Sequence, residues 1–200
     1  VRVLDLKLPA HAVDTVEYKQ ADVRNSVTPD KVINEVAGVL YTQGDVRDSH
    51  LLASLTSGVE AVYHFAAIVS VPLCQEDPLE SHRTNLLSTL QVLEAIRAES
   101  VKRQRSIRLI FSGSSVVYSN STGSNEYASE DSTVTWPLSF YGAQKLGSEH
   151  AIRLYCQHYQ IPSVVFRFFN VYGPGQDPKS PYSGVISIFL SALKQAKPMY

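Results

Sequence analysis

The sequence has few cysteines and almost no net charge. Two cysteines among 200 residues are too few for a disulfide framework, so we expect a reducing compartment, the cytoplasm. A formal net charge of −1 gives no electrostatic reason to expect nucleic acid or a membrane as a partner. No apolar run is long enough to span a bilayer, and no signal-peptide pattern is found. The six histidines lack the spacing of a zinc site, so no metal is predicted.

Both ends of the sequence lack the usual boundaries of a domain. Residues 1–5, Val-Arg-Val-Leu-Asp, have the pattern of a strand already in progress. Residues 197–200, Lys-Pro-Met-Tyr, contain no helix stop and no closing strand. We therefore expect a fragment of a larger protein, in which residues 1–180 form most of one domain and residues 181–200 begin a substrate-binding region.

Strand-like and helix-like segments alternate along the chain, which is typical of an α/β protein with a parallel sheet wrapped by helices. Strands are predicted at 1–6, 16–23, 38–44, 59–65, 107–111 and 163–169. Helices are predicted at 29–36, after Asp48, and at 77–99, 138–159 and 183–195. The helix 77–99 is predicted to face the core with Leu79, Leu86, Leu90, Leu93 and Ile96. The polar stretch 119–136 is too long for a simple connection and is predicted to be a lid or binding loop.

Tyr141 and Lys145 have a Tyr-x-x-x-Lys spacing within the predicted helix 138–159. Residues four apart share one face of a helix, so the phenol and the ammonium group are expected side by side. A fixed cation beside a tyrosine is predicted to lower the pKa of the phenol from its ordinary value of about 10. A tyrosine tuned in this way can take a proton from a sugar hydroxyl and later return it. The spacing alone is common by chance, so its weight depends on its surroundings.

Acidic residues follow two of the predicted strands. Asp5 ends the first strand, a position at which dinucleotide-binding sheets use an acidic residue to accept hydrogen bonds from the adenosine ribose. A carboxylate there favours NAD over NADP, because it repels the extra phosphate. Asp45 and Val46 follow the strand 38–44, where a carboxylate can bind the adenine amino group and the backbone can face the ring. Taken alone, each acidic residue is more often an ordinary turn residue or helix start.

Small and polar residues follow three further strands. Ala66 and Ala67 come after the strand 59–65, where small side chains let a ligand approach the backbone closely; His64 before them is more often a packed histidine. Ser114 follows the strand 107–111, and ligands bind at the carboxyl ends of parallel strands. Asn170 follows the strand 163–169, where it can bind a diphosphate or cap a turn.

Taken in order, these residues resemble the extended short-chain dehydrogenase/reductases, in their NAD-dependent nucleotide-sugar epimerase/dehydratase branch. The resemblance covers nearly the whole chain and is carried by Asp5, Asp45-Val46, His64-Phe-Ala-Ala67, Asn85, Ser114, Tyr141-x-x-x-Lys145 and Arg167-Phe-Phe-Asn170-Val-Tyr-Gly-Pro174. Within the branch, the chain is most similar to UDP-hexose 4-epimerases. The resemblance implies a Rossmann-like, doubly wound parallel sheet that lacks its first strand, the glycine-rich turn after that strand, and the carboxy-terminal region.

The resemblance also implies a role for each matching residue. Tyr141 would be the acid–base residue, Lys145 would hold the nicotinamide ribose, and Ser114 would bind the sugar hydroxyl. The NAD site would be lined by Asp5, Asp45, Val46, Phe65, Ala66, Ala67, Asn85, Tyr141, Lys145 and Phe168. The nucleotide sugar would be bound by Ser70, Ser114, Ser115, Asn170 and Val185, with Asn170 at the UDP diphosphate.

The implied reaction is epimerisation at C4 of a UDP-hexose, such as UDP-glucose or UDP-N-acetylglucosamine, through a 4-keto sugar. Similar 4,6-dehydratases carry an Asp-Glu pair where this chain has Ser115 and Val116, and Val116 can neither donate nor accept a proton. A nucleotide-sugar ketone reductase, another sugar-nucleotide epimerase or dehydratase, and a non-catalytic relative without the cofactor turn are alternatives. The resemblance further implies a homodimer that pairs through the helices 77–99 and 138–159.

Overall fold

The computed structural model describes residues 2–5, 33–36, 39–118, 128–131, 135–173, 176, 184–196 and 198. The strands are β1 (Arg2–Asp5), β2 (Ile33–Val36), β3 (Val39–Gln43), β4 (Ala61–His64), β5 (Arg108–Ser114) and β6 (Ser163–Phe168). The helices are α1 (Ser49–Thr56), α2 (Val71–Glu76), α3 (Pro78–His82), α4 (Ser88–Arg103), α5 (Phe140–Tyr159) and α6 (Val185–Lys194). A π-helical segment (Arg83–Leu87) joins α3 to α4, and a 3-10 turn (Ser115–Val117) follows β5.

The described strands form two three-stranded sheets. In one sheet, β5 lies between β4 and β6, and both pairings are parallel. In the other sheet, β3 pairs in parallel with β1 and antiparallel with β2. The helix predicted at 29–36 is therefore wrong at Ile33–Val36, because the backbone of this short segment pairs with β3. Only two residues separate β2 from β3 in the sequence, which suits an antiparallel pair.

The apolar core lies between the parallel sheet and the helices α4 and α5. Strand β5 buries alternate residues, as expected for the centre of a sheet, and its Leu109 and Phe111 are almost completely inaccessible to solvent. The cluster consists of Val46, Leu52, Val92, Leu93, Ile96, Ile107, Leu109, Phe111, Ile152 and Ile161. This packing fixes the carboxyl end of β5 against α5, and the candidate site lies there.

The predicted helix 77–99 consists of α3, the π-helical segment and the greater part of α4. Pro78 starts α3, and the Asp77 side chain caps it by accepting a hydrogen bond from Glu80 N at 3.0 Å. Because a π turn contains an extra residue, it rotates the face that α3 presents relative to α4. The predicted apolar stripe is accordingly confirmed at Leu93 and Ile96, which are 0% exposed, and wrong at Leu79, which is 61% exposed.

The prediction of a helix carrying Tyr141 and Lys145 is confirmed by α5. The Ser139 side chain caps the helix by accepting a hydrogen bond from Gly142 N at 3.1 Å. Gln160 ends it in the left-handed conformation, with φ of 54°.

The strand predicted at 16–23 and most of the predicted loop 119–136 lie outside the described residues. Within the described residues, no helix is long and apolar enough to cross a membrane.

Candidate active site

The carboxyl end of β5 and the first turns of α5 bring Ser114, Tyr141 and Lys145 together. Ser114 is the last residue of β5 and is half-buried. Tyr141 is 9% exposed and Lys145 is 2% exposed. The Lys145 Nζ atom lies 5.8 Å from the centroid of the Tyr141 ring, and the Ser114 side chain lies close enough to the Tyr141 phenol to influence its pKa. A hydroxyl, a phenol and an ammonium group therefore meet at one edge of the parallel sheet.

The Lys145 ammonium group is held by the backbone of β5. Its Nζ atom donates a hydrogen bond to Ser112 O at 2.8 Å and lies 4.7 Å from the centroid of the Phe111 ring. Burial lowers the pKa of Lys145 from 10.5 to about 8. An ammonium group has three N–H donors, and Ser112 O is its one hydrogen-bond acceptor among the residues that the structure describes. Lys145 therefore has N–H donors available for a ligand.

Burial raises the pKa of the Tyr141 phenol, while the polar interaction with the nearby Ser114 side chain acts in the opposite direction. The predicted lowering of this pKa by Lys145 is therefore wrong for this structure. The physical reason is that removing a phenolate from water is unfavourable, and the ammonium group lies against the Ser112 carbonyl. Tyr141 consequently holds its proton at neutral pH.

His64 is a packed residue, as the sequence predicts. It ends β4 and is 4% exposed, with Nε2 at 3.1 Å from Thr89 Oγ1 and its ring at 5.5 Å from the Phe111 ring. Burial, together with the nearby positive charge of Lys145, lowers the pKa of His64 to about 3. The imidazole is therefore neutral at physiological pH.

Asn85 holds the loop that follows β4. It lies in the π-helical segment and is 2% exposed. Its Oδ1 accepts a hydrogen bond from Ile68 N at 2.7 Å, and its Nδ2 donates to Ile68 O at 3.0 Å. The same loop carries Phe65, which is 56% exposed, and the half-buried Ala66 and Ala67. Asn85 thus fixes the backbone next to three predicted NAD contacts, and the NAD roles of all four residues stay predictions.

The carboxylate of Asp45 is occupied by Arg47. Asp45 Oδ1 accepts hydrogen bonds from Arg47 N at 2.8 Å and Arg47 Nε at 3.0 Å, and Oδ2 accepts from Nε at 2.9 Å. Arg47 also pairs with Glu80 on α3, and the Val46 side chain is 3% exposed within the core. An adenine amino group at Asp45 would have to compete with Arg47, and the roles of Asp45 and Val46 stay predictions.

The other predicted site residues lie at the ends of elements. Asp5 ends β1, Ser70 caps α2 by accepting from Leu73 N at 3.2 Å, and Ser115 opens the 3-10 turn. Phe168 ends β6 opposite Ser114, and its ring stacks on Phe166. Asn170 follows β6 and is exposed. Val185 begins α6 and is 57% exposed. Within the described residues, no side-chain hydrogen bond joins Ser70, Asn170 or Val185 to Tyr141 or Lys145, so their roles stay predictions.

Sequence reasoning missed Gln144, which is 3% exposed and accepts a hydrogen bond from Asn85 Nδ2 at 2.8 Å. A signal was available, because Gln144 is three residues after Tyr141 and therefore lies on the same side of the helix. Of the two cysteines, Cys74 is 0% exposed and Cys156 is exposed to solvent.

Residues 8–200 match the sequence profile described as the NAD dependent epimerase/dehydratase family. An uncharacterized UDP-glucose epimerase of Bacillus subtilis is 35% identical over 149 residues, which are 74% of this chain and 43% of that protein. A putative UDP-glucose 4-epimerase of Methanocaldococcus jannaschii is 31% identical over 195 residues, 95% of this chain and 61% of that protein.

Among solved structures, the chain is similar to the UDP-N-acetylglucosamine 4-epimerase from Methanobrevibacter ruminantium in complex with UDP-N-acetylmuramic acid. The TM-score is 0.71 at 30% identity, and the match covers 80% of this chain and 49% of that one. The chain therefore spans less than two thirds of the length of each of these three relatives.

Proposed function

Because the chain belongs to the NAD-dependent epimerase/dehydratase family, we propose that it carries the acid–base site for epimerisation at C4 of a UDP-hexose. The observation that carries this proposal is the meeting of Ser114, Tyr141 and Lys145 at the carboxyl end of β5. UDP-glucose and UDP-N-acetylglucosamine are the proposed substrates, because they are named as the substrates of epimerases that the chain resembles.

The residues at this site suit NAD as the cofactor. Lys145 has N–H donors available for ribose hydroxyls, and the small side chains of Ala66 and Ala67 leave the backbone after β4 accessible. When bound, NAD would supply the acceptor and later the donor of the C4 hydride, together with the positive charge of its oxidised ring. The residues proposed to hold it are Asp5, Asp45, Val46, Phe65, Ala66, Ala67, Asn85, Tyr141, Lys145 and Phe168.

Tyr141 is proposed to move the proton at the sugar O4 atom. In the first half of the reaction the O4–H bond breaks and its proton goes to the phenolate form of Tyr141, while C4 becomes a ketone as its hydride leaves for the acceptor that NAD would supply. In the second half Tyr141 returns the proton to O4 after the ketone has presented its other face, so no net proton is consumed. Ser114 is proposed to hydrogen-bond the same oxygen, because its side chain lies beside the Tyr141 phenol and influences its pKa.

The proton-accepting form of Tyr141 is the phenolate, which would be stabilised by the positive charge of the oxidised NAD ring when that cofactor is bound. Burial raises the pKa of the phenol and so favours the form that returns the proton. A nearby cation stabilises the phenolate that takes it. With a pKa of about 8, the Lys145 ammonium group still carries its charge at neutral pH.

The residues after Ser114 favour epimerisation over 4,6-dehydration. Elimination of water requires an additional acid and base. Ser115 and Val116 stand where similar 4,6-dehydratases carry an Asp-Glu pair. Val116 is 36% exposed and has no group that transfers protons.

Proton NMR on the complete gene product, with catalytic NAD and either UDP-glucose or UDP-N-acetylglucosamine, tests the proposal. We expect a galacto-configured product without net formation of NADH, and the ratio of the two rates identifies the preferred substrate. Stoichiometric use of NADH with a keto sugar would instead identify a nucleotide-sugar reductase. The absence of both conversion and NAD binding would identify a non-catalytic relative and overturn the proposal.

A further inference from the structure

Four side-chain hydrogen bonds link the loop after β4 to α5, the helix that carries Tyr141 and Lys145, and link α5 in turn to α3. Asn85 Oδ1 accepts from Ile68 N at 2.7 Å, and Asn85 Nδ2 donates to Gln144 Oε1 at 2.8 Å. Gln144 Nε2 donates to Ser81 Oγ at 2.9 Å, and Ser81 Oγ donates to Pro78 O at 3.1 Å. We call this chain of bonds the amide clamp.

The orientation of every group in the amide clamp is fixed by the backbone at its two ends. Ile68 presents both its backbone N–H donor and its C=O acceptor to Asn85, so only one orientation of the Asn85 side-chain amide forms both hydrogen bonds. Asn85 Nδ2 must then face an acceptor, which requires Gln144 Oε1. Gln144 Nε2 must in turn face an acceptor, and Ser81 Oγ serves because its own hydrogen points to Pro78 O.

The amide clamp is buried and joins parts of the chain that are far apart in sequence. Ser81, Asn85 and Gln144 are 1%, 2% and 3% exposed, so water cannot replace a lost partner. The bond between Asn85 and Gln144 spans 59 positions of the chain. A change at Gln144 therefore alters how the loop after β4 is held against α5.

Gln144 is adjacent in sequence to Lys145 and lies one helical turn from Tyr141. The far end of the clamp is Ile68, next to Ala66 and Ala67 in the loop that we propose to contact NAD. The distance between this loop and the turn of α5 that carries Tyr141 determines how the acid–base residue is positioned relative to the reacting carbon. A misplacement of about 1 Å can lower the rate about 100-fold.

We propose that Gln144 is a positioning residue, which acts through Asn85 to hold the loop after β4 in a fixed relation to Tyr141 and Lys145. The catalytic consequence rests on the proposed epimerase function. The mechanical consequence, a fixed loop, does not depend on it.

The test replaces Gln144 with methionine, which has a similar shape but no N–H donor and only a weakly accepting sulfur atom. The matched control is Thr56→Val in α1, where a buried hydroxyl donates to Leu52 O at 2.9 Å and the residue is 4% exposed. Three quantities are measured on the complete gene product: hydrogen–deuterium exchange of the peptide containing Ile68, kcat and KM for epimerisation, and thermal unfolding.

In Gln144→Met we expect exchange at Ile68 to accelerate about tenfold and kcat to fall about 10-fold to 100-fold, while KM changes little. In Thr56→Val we expect a lower unfolding temperature with exchange at Ile68 and kcat unchanged. Wild-type exchange at Ile68 in Gln144→Met overturns the proposal, and so does a loss of kcat that Thr56→Val reproduces. If the wild-type protein fails to epimerise, the proposed function is wrong, and exchange at Ile68 still decides whether the clamp exists.

Discussion

The proposed proton transfer at Tyr141 depends on its phenolic oxygen, and substitution by phenylalanine removes only that atom. In Tyr141→Phe we expect epimerisation to fall by about 100-fold or more, the usual contribution of a positioned acid–base group. The fold should persist, because the buried ring remains and the substitution removes only the phenolic oxygen, which interacts with the Ser114 side chain. Proton NMR of the sugar product and thermal unfolding measure the two effects.

Tyr155→Phe is the matched control for this prediction. Tyr155 lies on the same helix, and its hydroxyl donates to Glu94 Oε1 at 2.6 Å, away from the site. We expect this variant to keep wild-type turnover. Near wild-type turnover in Tyr141→Phe would rule out the proposed mechanism.

His64 predicts a pH dependence of stability. Its pKa is about 3 in the folded protein and 6.5 as the reference value, so between these values the unfolded chain binds more protons and stability falls as the pH falls. From pH 7 to pH 5 this single group should lower the free energy of unfolding by about 2 kcal/mol. Urea unfolding at the two pH values measures the change.

His64→Gln isolates this effect, because glutamine can still bond Thr89 but does not titrate. We expect its loss of stability between pH 7 and pH 5 to be smaller than that of the wild type by about 2 kcal/mol. Equal losses in both proteins would show that His64 is not held neutral by burial.

At the scale of elements, two glycines of α5 differ in what a methyl group would meet. A Cβ atom at Gly142 would lie 2.8 Å from Pro137 Cβ and 2.9 Å from Val116 O, in the segments that precede α5 and follow β5. A Cβ atom at Gly147 would lie 3.1 Å from Leu86 Cδ2, the end of a flexible side chain. The first site cannot accommodate a methyl group without backbone movement, whereas the second can.

We therefore expect Gly142→Ala to lower the free energy of unfolding by about 1–3 kcal/mol through overpacking. Gly147→Ala, the matched control, should change it by less than about 1 kcal/mol, since the higher helix propensity of alanine offsets a small rearrangement of Leu86. Chemical denaturation of both variants measures this difference. Equal effects at the two positions would contradict the close packing of Gly142.

The elements that the sequence predicts well are those with local signals. Helix α5 is predictable because Ser139 caps it and its apolar residues recur with a helical period. Strand β2 and the π-helical segment are not, because the first depends on pairing with β3 and the second inserts one residue into an otherwise regular helix. The exposure of Leu79 follows from that insertion.

The same distinction applies to the candidate site. Ser114, Tyr141 and Lys145 are predictable from a strand end and a four-residue helical spacing. The contact between Asn85 and Gln144 is not, since the two residues are 59 positions apart. The direction of the Tyr141 pKa shift also escapes the sequence, because burial is set by the packing of the whole fold.

At the scale of the whole molecule, we propose that the helices at 77–99 and 138–159 form a homodimer interface. These segments expose the large apolar side chains Leu79, Leu87, Leu154 and Tyr159, which are 46–61% accessible in the single chain. Static light scattering at micromolar concentration should give twice the mass of one chain. Leu154→Glu should shift the protein toward monomer, whereas Val101→Glu, just beyond the interface segments, should not. A monomeric mass for the wild type would contradict the proposal.

The attachment of Lys145 to Ser112 O has a consequence for the entropy of ligand binding. Immobilising a lysine side chain removes rotamer freedom equivalent to about 1.5–2 kcal/mol at room temperature. Because the side chain is already 2% exposed and tied to β5, this freedom is lost when the chain folds, before any ligand arrives. If Lys145 binds NAD as proposed, it meets the dinucleotide as an already rigid group, so calorimetry of binding should show no entropic penalty from ordering this side chain.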